Sequence, residues 1–202
     1  MAVKRFSTSF ISESGQDKSS NFIANYSPAI DEMELIERVR VGSGGTSAIV
    51  FDEIPQTYQH LQLRGILRGA VNAVTDDAFV LRFNNDSGSN YAHHRLFGDG
   101  TTVTANAGSS QTLIDYTFFA PGATATENVF GAYIVDILDY TNTTKNTTLR
   151  ELMGHDRNGA GRLYMISGLW NNTNAITRLD VFNAGSRNAV EHSTLSLYGV
   201  KA

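Results

Sequence analysis

Cysteine is absent from this chain. That excludes disulfides, thiolate metal sites and a thiol nucleophile, and leaves the redox compartment open. Charge is scarce as well: Asp, Glu, Lys and Arg make up 18% of the 202 residues, below the roughly 25% of an ordinary soluble domain. The 16 Lys and Arg are scattered without a basic block, and the formal net charge is −4. No nucleic-acid partner is expected, because phosphate binding needs clustered positive charge. Long apolar runs are missing too. Ser12, Glu13, Ser14 and Gln16 interrupt the chain soon after Met1-Ala2-Val3-Lys4-Arg5, so no signal peptide is read there. No stretch approaches the length needed to span a bilayer as a helix. The expectation is synthesis in a cytoplasm and no membrane partner.

What the chain does have is apolar and neutral-polar material. Hydrophobic residues make up 41%, with 18 Gly, 11 Phe and 8 Tyr, and Asn and Thr together supply 35 residues. A chain this long can bury roughly 70% of its unfolded surface and needs no covalent staple. Residues 1–31 stand apart. They are rich in Ser, and their apolar residues Phe6, Phe10, Ile11, Phe22, Ile23 and Tyr26 come singly or in pairs without a sustained period. Such a segment cannot offset its own chain entropy. It reads either as a floppy tail or as an extended N-terminal arm, with Phe6, Phe10, Phe22 and Tyr26 as candidate assembly contacts on a neighbour.

Residues 32–202 read as one domain with period-two patterning. Ser27 and Pro28 would suit the start of a short helix, but Ile36-Glu37-Arg38-Val39-Arg40-Val41 alternates and favours a strand. Further strands are expected at Thr46–Phe51, Tyr58–Arg68, Ala78–Phe83, Tyr91–Phe97, Gln111–Phe119, Val129–Tyr140, Thr147–Leu152, Arg162–Trp170, Ala175–Phe182 and Ser193–Val200. Asn84 to Asn90 is a turn cluster, Gly98-Asp99-Gly100 a hairpin signal, and Thr101 to Ser110 a long connection. The repeated Leu-Arg pairs, at Leu63, Leu67, Leu81 and Leu149, place an apolar residue inward beside a charge outward. About ten short strands and no long helix predict an all-β fold. A two-sheet β-sandwich of jelly-roll type is expected, because the uneven connections favour Greek-key crossings.

The search for chemistry finds no Gly-x-Ser-x-Gly elbow and no phosphate loop. His93-His94 is the best metal candidate, but neighbouring strand residues face opposite sides and cannot easily share an ion. His155-Asp156, ahead of a turn, reads as a surface pair. Asp136 and Asp139 would face opposite sides of a strand, and Asp76-Asp77 lies in a loop, so neither makes a glycosidase pair. Asn84, Asp86 and Gly88 echo a calcium loop but lack its closing bidentate Glu; a turn held by Asn and Asp side chains is the stronger reading. The Asn-x-Ser/Thr sequons at Asn25, Asn85, Asn142, Asn146 and Asn171 follow from the composition. Trp170 and Tyr140, beside polar turns, are weighed as core residues against a glycan-stacking platform. The reading is that of a non-enzyme without cofactor or metal.

Several strings also carry a resemblance. Phe83 to His94, with its Asn-Asn-Asp-Ser-Gly-Ser-Asn centre, followed by Leu96-Phe97-Gly98-Asp99-Gly100, is similar to a block found in virion structural proteins of tailed phages, cyanophages included. Ile54-Pro55-x-x-Tyr58-x-His60-Leu61, Asp136-Ile137-Leu138-Asp139-Tyr140, Gly168-Leu169-Trp170 and Leu197-Tyr198-Gly199-Val200-Lys201 share that flavour. The resemblance covers residues 35–202 and not the arm. It implies a β-sandwich module used in heads, tails and fibres, and it carries over no functional residue. A module nearly alone behind a short arm suits a capsid decoration, or cement, protein. Such a protein would be a homo-oligomer, with a trimer favoured, that contacts the major capsid protein or other virion proteins and assembles in the host cytoplasm. The alternatives are a tail or fibre component that binds a cell-surface glycan, and, less well supported, a polysaccharide-cleaving enzyme.

Overall fold

The computed structural model describes residues 32–71, 76–183 and 185–201, and among them the regular structure is entirely β. The strands are β1 (Met33–Arg40), β2 (Ala48–Phe51), β3 (His60–Leu67), β4 (Asp76–Phe83), β5 (Tyr91–Gly98) and β6 (Val103–Gln111). They continue with β7 (Ile114–Pro121), β8 (Gly131–Leu138), β9 (Thr147–Asp156), β10 (Gly161–Trp170), β11 (Leu179–Asn183) and β12 (Thr194–Val200). The candidate contact residues Phe6, Phe10, Phe22 and Tyr26, and the arm of residues 1–31 as a whole, lie outside the described residues.

The strands form two antiparallel sheets, as the alternation predicts. The wide sheet has eight strands in the order β1-β12-β3-β8-β9-β10-β5-β6, and the narrow sheet has four in the order β2-β11-β4-β7. Only the β5–β6, β8–β9 and β9–β10 connections stay within one sheet; every other connection crosses between the layers. From β2 to β11 the order is that of a jelly roll, with the meander β8-β9-β10 standing where a single strand would otherwise be and β12 and β1 added beyond β3.

Strand alternation sorts side chains into the space between the sheets. Along β9, Thr147, Leu149, Glu151, Met153 and His155 are buried while the residues between them face outward. From the wide sheet come Leu61 and Leu63 of β3, Val135 and Ile137 of β8, and Leu195 and Leu197 of β12. Phe79, Leu81 and Phe83 of β4, Phe118 of β7 and Val181 of β11 meet them from the narrow sheet. Each such side chain contributes roughly 1.5–3 kcal/mol by leaving water. Phe118 meets Tyr133 edge-on at 5.2 Å, and the Tyr133 hydroxyl donates to the Phe119 carbonyl at 2.9 Å. The connection ahead of β3 packs closely on β12 at Gly199, where an added Cβ would run into the ring of Tyr58.

Three details depart from the sequence reading. Residues 101–110, expected to be a connection, form most of β6, which pairs with β5 from Val103 to Gly108 before the register shifts. The hairpin at Gly98-Asp99-Gly100 turns directly into that strand: the Asp99 carboxylate accepts from the Thr101 and Thr102 amides. These bonds hold its pKa down at about 2. Arg68, expected to face outward, is buried. Its guanidinium donates to the carbonyls of Ala123, Ala125, Thr126 and Val129, tying the β7–β8 connection to the end of β3. Asp76 and Asp77, read as a loop, open β4.

Glu151 is a buried acid in the interior. It is 4% exposed, and neither of its carboxylate oxygens has a hydrogen-bond partner. Burial pushes its pKa well above the ordinary glutamate value, so the folded state favours the neutral acid. The folded protein therefore holds a proton that the unfolded chain releases above pH ~4.3, and stability falls as pH rises from there towards the raised folded pKa. Glu151→Leu is expected to remove that slope and to stabilise the domain at pH 8 by about 1–3 kcal/mol. Urea unfolding of both proteins from pH 4 to 9 checks this; a gap that does not widen with pH would contradict it.

Candidate functional site

The turn between β4 and β5 is built around the carboxylate of Asp86. The Gly88 amide donates to Oδ1 at 2.8 Å, while Asn90 Nδ2 and the indole Nε1 of Trp170 donate to Oδ2 at 2.9 and 2.8 Å. Burial pushes the Asp86 pKa up, but these bonds together outweigh it and hold the carboxyl below its usual range. Beneath the turn, the Trp170 ring lies 5.5 Å from Phe83 and stacks on Tyr91 at 6.4 Å. Asn84, at φ 50°, completes the arrangement: its side-chain oxygen accepts from the amides of Thr177 and Arg178, and its amide donates to the Ala175 carbonyl. The calcium-loop echo thus resolves into a turn whose side-chain oxygens are used internally.

Trp170 is 1% exposed and Tyr140 0% exposed. The Tyr140 hydroxyl bonds to the Pro55 carbonyl. Neither ring offers a face to solvent, so the glycan platform considered for this pair is corrected to core packing. The physical reason is that each ring's polar atom finds an internal acceptor, which lets the whole side chain be buried.

The histidines divide as strand alternation requires at one site and not as expected at another. His93 faces inward and His94 outward. The His155 side chain is 1% exposed instead of lying at the surface. It sits 3.3 Å from Asp76, which also has Arg157 at 3.5 Å and Arg162 at 3.3 Å. Burial lowers the His155 pKa, against the pull of Asp76. Beside this group, Asp77 accepts from Asn183 Nδ2 at 2.6 Å. Asp136 and Asp139 are engaged separately. Asp136 accepts from Gln62 and Arg150. Asp139, one residue beyond β8, accepts from Gln59 and Lys145. Among the described residues no three His, Asp or Glu side chains are grouped to hold a metal ion.

The feature that sequence reasoning missed is on the outer face of the wide sheet. Ile134 of β8 is opposite Leu152 of β9, Leu152 opposite Met165 of β10, Met165 opposite Leu96 of β5, and Leu96 opposite Ala105 of β6. This apolar row crosses five strands. Met165 is 58% exposed, Leu152 50% and Leu96 46%. A polar row runs beside it: Asp136, Arg150, Ser167 and His94. Leu163 and Val103, also exposed, extend the apolar surface on its other side. Together the rows line a groove of about 870 Å³. Large contiguous apolar patches are uncommon on monomeric proteins and are found at protein, membrane and ligand contact surfaces.

No protein-family model matches the chain, and no curated protein matches it. The groove and the sheet that carries it are therefore interpreted from their own chemistry. Each groove residue is legible as a strand residue. What a single sequence lacks is the cross-strand register, which alone brings residues 96, 134, 152 and 165 side by side.

Two outcomes follow. Asp86→Asn removes the charge that Gly88, Asn90, Trp170 and Asn172 share as donors and is expected to cost roughly 2 kcal/mol in urea unfolding at pH 7. Because the folded pKa is depressed, Asp86 contributes stability above the unfolded pKa of about 3.9, and this is lost as pH falls through the lower folded value. The difference between wild type and variant should therefore shrink on acidification. Leu152→Ser with Met165→Ser should change stability by no more than about 1 kcal/mol in total, as exposed sites do, and should lower the binding of a fluorescent apolar dye.

Proposed function

We propose that this chain is a non-catalytic structural protein of a tailed-phage virion, a capsid decoration or cement protein that reinforces the head through oligomeric contacts. The observation that carries the reading is the exposed apolar row across the wide sheet, flanked by neutral and ion-paired polar residues. A surface of that kind is suited to being covered by protein. The resemblance of residues 35–202 to tailed-phage virion modules supplies the biological setting. The expected partners are further copies of the same chain, a trimer being favoured, and the major capsid protein or other virion proteins.

The carboxylates weighed as candidate sites fit a structural role as well. The carboxylates of Asp86, Asp136 and Asp139 are each occupied by hydrogen bonds from the fold itself. The alternative of a glycan-binding tail or fibre component would need an exposed aromatic other than Trp170 or Tyr140, since both are core residues.

The test is the position and copy number of the protein in purified particles. A copy number commensurate with the capsid lattice is expected; one that matches the symmetry of the tail or of a fibre would overturn the head assignment. Deleting residues 2–27 should abolish particle binding while the sandwich still unfolds cooperatively. Normal occupancy by the truncated protein would remove the role given to the arm.

A further inference from the structure

The two sheets have four edges, and three of them resist strand addition. β1 carries Glu34, Glu37, Arg38 and Arg40. β2 is four residues long, and β7 carries Asp115 and ends on Pro121. Charges, short length and proline are the usual means by which edges are blunted. β6 has none of these. Its nine residues, Val-Thr-Ala-Asn-Ala-Gly-Ser-Ser-Gln, contain no charge and no proline, and among the described residues it pairs on one side only, with β5. Its register with β5 is unbroken over Val103–Gly108. The same strand forms one wall of the groove through Ala105 and Ala107. An incoming strand that paired with this edge would place every second side chain into the groove.

The occupant must therefore set apolar residues at every second position and carry no charge. Two copies of β6 paired edge to edge would satisfy the backbone but would merge two grooves and leave both wet. This chain holds a better match. Asn21-Phe22-Ile23-Ala24-Asn25-Tyr26 sets Phe22, Ala24 and Tyr26 at period two, and it has no charge and no proline. The described chain begins at Glu32, beside β1, at the opposite edge of the same sheet. Seven strand spacings separate β1 from β6, roughly 34 Å along the sheet. Tyr26 lies six residues before Glu32 and can extend at most about 20 Å from it. That span falls short of the chain's own β6.

We propose that the free edge of β6 and the adjoining groove receive residues 21–26 of a second copy of this chain, added as a ninth strand with Phe22, Ala24 and Tyr26 turned into the groove. This rests on the homo-oligomer proposed above and names its contact surface. The exchange links each subunit to a neighbour in a head-to-tail sense, which closes into a ring for a trimer.

The lack of cysteine gives a clean test. Full-length protein carrying Ala24→Cys is mixed with full-length protein carrying Ala105→Cys, refolded together, oxidised, and run on a non-reducing gel. A disulfide-linked pair that needs both variants is expected. As an independent measurement, Phe22→Ser with Tyr26→Ser should weaken self-association by roughly tenfold or more in sedimentation without moving the urea midpoint measured at concentrations where both proteins are monomeric. Cross-linking of Ala105→Cys to itself alone would show edge-to-edge pairing and overturn the inference. So would a bond formed within single chains of the double variant diluted into wild type. An oligomer with no 24–105 cross-link sinks this contact and spares the homo-oligomer. A monomer at every concentration sinks both.

Discussion

A β-strand can bury only every second side chain, and the architecture of this chain follows from how its two sheets meet that constraint. Between the layers, the inward residues of the central strands of the wide sheet are covered by those of the narrow one. The narrow sheet supplies bulky cover in Phe79, Phe83 and Phe118. Among the described residues, no second layer covers the outward residues of the wide sheet. Along most of that face they are polar or paired, as with Asp136, Gln62 and Arg150. Where they are not, at Ile134, Leu152, Met165 and Leu96, the fold presents apolar surface that contributes nothing to its own core. Internal packing and the capacity for contact are therefore read from opposite faces of the same strands.

Polar groups inside the sandwich fall into two kinds. Arg68, Asp86 and Asn84 are multiply bonded and fix connections that strand pairing does not reach. The 123–129 segment, the β4–β5 turn and the 175–178 segment are each tied down by one of them. Glu151 and the Asp76–His155 group are different. Burial disfavours the charged forms of Glu151 and His155, so their ionisation opposes folding, and the domain's stability is coupled to pH through them.

Much of the fold was legible because amphipathic alternation and turn chemistry are local. The strands at 78–83, 91–97 and 162–170 are apparent in the sequence, and the Asn84–Asn90 cluster identifies its own turn. β6 was not legible. An edge strand exposed on both faces has no need to alternate, and Thr101 to Ser110 accordingly reads as a polar connection. The burial of Trp170 depends on Asp86, 84 residues away in the chain, and that of His155 on Asp76. Such partners are brought together only by the crossing of the layers. The apolar groove was hidden for the same reason: it runs across the strands, perpendicular to any pattern that a single strand displays.

The meander β8-β9-β10 occupies one place in the jelly-roll order and makes the large sheet two strands wider without altering any crossing between layers. Sheet breadth in this architecture is thus separable from its threading. A hairpin gained or lost at that one position would resize the outer surface by whole strands while leaving the path of the chain intact. Related molecules could in this way offer platforms of different span from a common scaffold.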